Sequence, residues 1–235
     1  MSKVCSRWVP YLLNQTQKKT RVRIAKKLLE KYDQCDERRL FEICTGDETW
    51  IRYSEPTRKE QNKLWIVKGS SPPALPRPDH WATKVMYTIF FDAHGPVCRI
   101  CTPKGQTVTG HFYATVVLPG IEKHYIERRP ATGLRGIKIL HDNARPHKSK
   151  EVKEKIASIG LEELEHPPYS PDLAPCDFWL FDGLQVQFWR TDANWKAIQR
   201  YLRDIPQEEY KKTFLKWIER LKLVVEHKGD YFEHL

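Results

Sequence analysis

Residues 84–105, KVMYTIFFDAHGPVCRICTPKG, contain two β-rich runs joined across Asp92 to Pro96 with a glycine in the turn. This pattern specifies a hairpin. An earlier alternating segment, FEICTGDETWI from Phe41 to Ile51, supplies a third strand, so the sheet begins as an antiparallel meander. The later runs are short and separated by helical periodicity. Val108 to Arg129 carries the ridge Tyr113, Val117, Ile121 and Tyr125, which Pro119-Gly120 is expected to kink or split. Gly136 to Leu140 reads as a strand and His147 to Ile159 as an amphipathic helix stopped by Gly160. LEELEHP gives a last short strand, and PPYSPDLAP is turn chemistry. Helices then restart at Cys176 and continue around Trp195 to Leu202 and Phe214 to Val225. Strands that alternate with helices join in parallel, so the whole predicts an α/β domain with a mixed sheet.

In front of the meander, residues 14–32 predict a basic helix with Asn14 or Thr16 as cap and Val22, Ala25, Leu28, Leu29 and Tyr32 on one face. Residues 54–83 hold five prolines and many charges, long for a connection without its own structure, and read as a functional arm. The chain of 235 residues is 40% hydrophobic with eight Trp, enough for one generous folded domain. Its net charge of +10 favours a polyanionic partner. Six scattered cysteines lack the density of a secreted disulfide scaffold and point to a reducing compartment. The single C-x-x-C, Cys98 and Cys101, falls in a strand, where positions three apart face opposite ways, which argues against zinc. No run approaches the ~18 apolar residues of a membrane span.

The chemistry gathers in IKILHDNARPH, residues 137–147, where an apolar strand ends in His141, Asp142 and Asn143, then Arg145 and His147. Ligands of open α/β sheets bind beyond the carboxyl ends of strands, which is where Asp142 falls. Two further acids are candidates: Asp47 in the first strand, with Glu48 beside it as a competitor that alternation does not exclude, and Asp177 in the first turn of a helix after Pro175. Converging carboxylates repel unless a cation joins them, and hard oxygen donors suit Mg²⁺ or Mn²⁺. Such a set supports two-metal phosphoryl transfer. No G-x-S-x-G, P-loop or G-x-G-x-x-G competes with it. Asp172 reads as a turn or capping residue and Asp92 as part of the hairpin turn, while His141 and His147 read as hydrogen-bonding groups near the site or as phosphate contacts.

TGDETW, HDNARPH and HPPYSPDLAPCDFWLF together resemble the catalytic blocks of mariner-type transposases. FLKWIERLKLVVEHKGDYFE resembles that family's carboxyl end and RWVPYLL its linker motif. The 34 residues between Asp142 and Asp177 match the family's spacing of its second and third acids. The resemblance implies an RNase H-like fold, a mixed five-stranded sheet flanked by helices, with residues 1–36 as linker and first helix and 37–235 as the catalytic domain, its clamp loop at about 54–83. It selects Asp47 over Glu48 and implies a catalytic, metal-binding triad of Asp47, Asp142 and Asp177. Mg²⁺ is the implied cofactor, with Mn²⁺ able to substitute. Asn143, Arg145, His147 and His141 become candidates for a supporting, DNA-facing role, and Trp8, Pro10, Arg58 and Trp65 for the clamp and dimer contact. The implied activity is cut-and-paste transposition, in which the enzyme cuts transposon ends and joins them to TA targets as a nuclear homodimer without membrane attachment. A domesticated DNA-binding or interaction module is the alternative. Tyr11 and Leu12 stand where the family has His and an acid, LQVQFWRTDANW lacks a Gly-Lys-Arg-Phe-like pattern, and the family's amino-terminal helix-turn-helix pair has no counterpart in the sequence. DNA is therefore expected to be held through its phosphates, with steep salt dependence.

Overall fold

The structure is a computed structural model and describes residues 9–33, 37–52, 84–188 and 195–233. Helix α1 spans Gln15–Tyr32, capped by Asn14, whose side chain accepts from the Gln17 N–H while the Gln17 side chain accepts from the Asn14 N–H. The strands are β1 (Ile43–Arg52), β2 (Lys84–Asp92), β3 (Gly95–Cys101), β4 (Lys138–Leu140) and β5 (Glu162–Glu163), in the order β3-β2-β1-β4-β5. β1, β2 and β3 pair antiparallel, whereas β1–β4 and β4–β5 pair in parallel, as the alternation of strands and helices requires.

Helices cover both faces. On one side α1, α5 (Phe181–Phe188), α6 (Trp195–Asp204) and α7 (Gln207–Glu226) bury Ile43, Ile51, Tyr87, Ile89, Phe91 and Leu140. On the other, α2 (Gly110–Phe112), α3 (Leu118–Arg128) and α4 (Lys150–Ser158) cover Cys44, Phe90, Cys98, Ile137 and Ile139. Cys98 belongs to the second core while Cys101 packs against the first, so the C-x-x-C does straddle the sheet. Among the described residues no helix is long and apolar enough to cross a membrane.

Several expectations need adjustment. The helix expected to break at Pro119-Gly120 is continuous from Gly110 to Arg128, and Pro119 sits in the first turn of α3 behind a π turn, Tyr113–Val117, closed by the Leu118 N–H on the Tyr113 carbonyl. A proline has no N–H to place in the ladder, and a widened turn ahead of it absorbs the mismatch. The α1 stripe is centred on Arg21, Ile24, Ala25, Leu28 and Tyr32, with Val22 and Leu29 only partly covered. The arm at 54–83, with Arg58 and Trp65, and the linker residue Trp8 lie outside the described residues.

Gly46 sits in β1 because the Phe90 ring crosses it: a Cβ there would lie 2.2 Å from the ring. A glycine inside a strand marks such a close approach. Gly46→Ala is expected to cost about 1–3 kcal/mol through overpacking. Thermal unfolding of Gly46→Ala, Phe90→Leu and the double variant should show the pair costing less than the sum of the singles; strict additivity would contradict the contact.

Candidate active site

Alternation along β1 sends adjacent acids to opposite faces. Asp47 pairs across the sheet with Ile89 and looks toward the layer of Cys176, whose thiol reaches the Ile89 carbonyl. Glu48 pairs with Thr88 and looks the other way, toward His147. Asp142 lies two residues past the end of β4, where its Oδ1 accepts from the Ala144 N–H at 2.9 Å. Asp177 stands in a second π turn, Cys176–Leu180, leading into α5. Such turns concentrate at functional sites. Asp142 and Asp177 face each other across a cleft of about 390 Å³, whose walls include Asn143, His166, Pro168 and Tyr169.

Electrostatics separate the three acids. Burial, then the charges of Glu48, Asp177 and Asp142, push Asp47 well above the usual carboxylate range. Burial and Asp142 lift Asp177 to about 6. Burial would also raise Asp142, yet pairing with His147 and the Ala144 N–H outweighs it and holds Asp142 below its ordinary value. Two of the acids thus carry a charge the fold disfavours, and each is disfavoured partly by another acid of the set. Hard oxygen donors in this state match a divalent cation, whose charge would remove the repulsion. Among the described residues no three His, Cys, Asp or Glu side chains are drawn close enough to ligate one ion, so uptake calls for side-chain closure.

A polar network stands behind Asp142. His147, 1% exposed, has Nδ1 2.7 Å from Asp142 Oδ1 and Nε2 3.3 Å from Glu48 Oε2. Burial opposes its charge, but the two carboxylates prevail and raise it to about 10, so it is an imidazolium at neutral pH. His141 stacks on it, with ring centroids 4.9 Å apart and planes 5° from parallel. Burial lowers the His141 pKa and keeps that ring neutral. Its Nε2 faces Glu163 at 3.2 Å and its Nδ1 the Tyr113 hydroxyl at 2.7 Å. Because a carboxylate only accepts, the partners assign the proton to Nε2 and leave Nδ1 to accept from Tyr113. His166 is also buried and held neutral, its pKa lowered to about 4 by desolvation.

Placement of the remaining candidates follows. His141 and His147 are buried against protein groups, which fits the hydrogen-bonding reading and corrects the DNA-facing one: His147 lies beside Asp142, and His141 stacks on His147. Asn143 and Arg145 are exposed, and Asn143 donates to the His166 carbonyl at 2.8 Å, tying the two walls of the cleft. Pro10 is exposed in the linker. Next to it Tyr11 stacks on Tyr169 at 4.0 Å, and Leu12 is 85% exposed. Asp172 does sit in a turn, the 3-10 turn Pro171–Leu173, and its side chain is fully buried against Arg21. Asp92 does accept from the His94 N–H at the hairpin, and its buried carboxylate also takes the Tyr125 hydroxyl. Sequence reasoning missed Glu48 as the partner of His147, and Tyr113, Glu163 and His166 altogether. The recurrence of histidines around HDNARPH was the one available signal.

A mixed five-stranded sheet in this order, helices on both faces, and acids in β1, just past β4 and in the turn leading into α5 define an RNase H-like domain. A family described as transposase (partial DDE domain) matches residues 55–132. The Mos1 mariner transposase of Drosophila mauritiana is 29% identical over 234 residues, covering 97% of this chain and 66% of the relative. The human histone-lysine N-methyltransferase SETMAR is 30% identical over 236 residues, covering 98% of this chain and 34% of the relative. The chain thus spans less than two thirds of the length of both. Among solved structures, the Mos1 paired-end complex with the left transposon end superposes at a TM-score of 0.83 with 28% identity, over 99% of this chain and 68% of that one. The crystallised Mos1 catalytic domain gives 0.76 with 27% identity, over 96% of this chain and 100% of that one. The chain is thus similar over nearly its whole length to the mariner transposase Mos1, and spans the whole of that protein's crystallised catalytic domain.

The raised proton affinity of Asp177 has a stability consequence. In the metal-free protein its carboxyl binds a proton in the folded state that the unfolded chain has lost between about pH 4 and pH 6, so its contribution falls as pH rises through that window. Asp177→Asn removes the effect. Relative to wild type, the variant should gain about 1–2 kcal/mol between pH 4 and pH 7, measured by urea unfolding in EDTA. A pH-independent difference would refute the assignment.

Proposed function

We propose that this chain is the catalytic segment of a cut-and-paste DNA transposase that binds Mg²⁺, or Mn²⁺ in its place, through Asp47, Asp142 and Asp177. The observation that carries the reading is that Asp47 and Asp177 are each pushed up by burial and by other acids of the set, while Asp142, which shares the cleft with Asp177, is held down by His147. Mos1, to which the chain is similar, has been crystallised as paired-end complexes with Mn and with Mg and as a strand transfer complex. Divalent ions held by such acids activate an attacking oxygen and stabilise the leaving one during phosphodiester exchange.

The protein's own groups supply position. His147 lies within ion-pair range of Asp142 through Nδ1 and of Glu48 through Nε2, placing charge behind a metal-ligand candidate. Asn143 braces the cleft wall, and exposed Arg145 stands beside it to meet phosphate. The net charge of +10 favours DNA binding through the backbone. On this reading the substrates are transposon ends and TA targets, the working form is a homodimer, and the compartment is the nucleus. A binding module without catalysis is the second reading, and the neutralisation of Asp142 by His147 favours it to the extent that one ligand is already paired.

Pre-nicked transposon-end DNA incubated with the chain and Mn²⁺ or Mg²⁺ should be cut. Asp142→Ala should reduce cutting at least about a hundredfold, a loss typical of removing an electrostatic stabiliser. His147→Ala should cost roughly 10- to 100-fold. Equal cutting by wild type and Asp142→Ala would reject the enzyme. DNA binding that persists in EDTA without any cutting would favour the module.

A further inference from the structure

Arg21, in the middle of α1, is wholly buried, and so is its partner Asp172. Its Nη1 and Nη2 reach the two Asp172 oxygens at 2.8 and 2.5 Å, Nη1 also donates to Ser170 Oγ at 2.6 Å, and Nε donates to the Gly229 carbonyl at 2.9 Å. The Tyr231 ring packs 4.8 Å from the guanidinium. One side chain thereby joins the first helix, the loop that walls the cleft and the turn after α7.

The other fixings of that loop converge on the same stretch. Tyr231 Oη donates to the Tyr169 carbonyl, Trp217 Nε1 to that of Leu173 and Arg220 Nη1 to that of Asp172. Tyr169 is held at a φ of 51°, which a non-glycine residue adopts only when its surroundings impose it. At its near end the loop hangs from Asn143, the neighbour of Asp142, through the His166 carbonyl. At its far end it runs directly into the π turn that carries Asp177. Two of the three acids are therefore spaced by a segment whose middle is set by Arg21.

Stability alone does not account for such a pair, since a buried ion pair can often be replaced by apolar residues without loss. Geometry does account for it. A guanidinium fork bonds a carboxylate, a hydroxyl and a carbonyl at once, which an ammonium does not reproduce. We propose that Arg21 is a positioning residue for the metal site: through Ser170 and Asp172 it sets the separation of Asp177 from Asp142 and hence the affinity for divalent cation. The inference rests on the metal reading above.

The test replaces the pair together, Arg21→Met with Asp172→Leu, so that no buried charge is orphaned, and compares it with Leu202→Ala, a core truncation on α6 away from the loop. Mn²⁺ affinity is measured by electron paramagnetic resonance of the free ion on folded protein below its unfolding temperature. The double variant should bind Mn²⁺ roughly tenfold more weakly or worse, Arg21→Lys should fail to restore affinity, and Leu202→Ala should bind as wild type despite its lower melting temperature. Unchanged affinity in the double variant, or an equal loss in Leu202→Ala, overturns the positioning role. Wild-type protein that takes up no Mn²⁺ overturns the metal reading itself, and that failure shows before any substitution is made.

Discussion

The parallel pairing of β1 with β4 is the constraint from which the site follows. Ile43, Cys44 and Thr45 pair with Lys138, Ile139 and Leu140, and the Thr45 hydroxyl closes the last rung on the Leu140 carbonyl. Asp47 and Asp142 each stand two residues beyond that rung, so a three-residue ladder brings acids 95 positions apart to the same level of the sheet. A slip of one residue would turn Asp47 to the opposite face and exchange it for Glu48. The cores on both sides prevent the slip, because it would also turn Ile43 and Cys44 out of their clusters. Packing of ordinary hydrophobic residues thus fixes the electrostatics of the cleft.

What could be read in advance divides along the same line. Local patterns carried the hairpin, the capped first helix, the short parallel strands and the split of Cys98 from Cys101, because period and turn chemistry belong to contiguous residues. Asp47 against Glu48 was not decidable from alternation alone; the choice needed either family resemblance or the register itself. The turn at Asp172 was legible in SPDL, but its burial was not, because its partner, Arg21, lies 151 residues away. His141 and His147 read as hydrogen-bonding groups near the site or as phosphate contacts, and the first reading is the one their burial fits. Their burial comes from Tyr113, Glu48 and Glu163, which sequence separates from them and structure stacks around them.

Tyr11 has a local role of its own. It lies flat on Tyr169, the cleft-wall residue whose backbone is held by Tyr231. A stacked aromatic pair of this kind contributes about 0.5–1.5 kcal/mol beyond its buried area. The stack therefore leans residue 11 on the same loop that Arg21 holds from behind.

The three acids are not equivalent, and their inequality bears on how the site tolerates itself. His147 keeps Asp142 ionised at any neutral pH, so this acid presents a fixed charge to the cleft. Burial pushes Asp47 and Asp177 toward the protonated form, helped at Asp47 by Glu48, Asp177 and Asp142 and at Asp177 by Asp142, so they can hold a proton until something positive displaces it. A site built with three equally ionised carboxylates would repel itself apart; one built with three protonated acids would have no attraction for a cation. One anchored charge and two that respond to it avoid both extremes. The anchor depends on Glu48, the neighbour that alternation sends to the far side of the sheet, because only with two carboxylates beside it does a buried imidazole keep its proton. The pair of adjacent acids in TGDETW is therefore divided across the sheet: Asp47 lies on the side of Cys176, and Glu48 stands beside the His147 ring that pairs with Asp142.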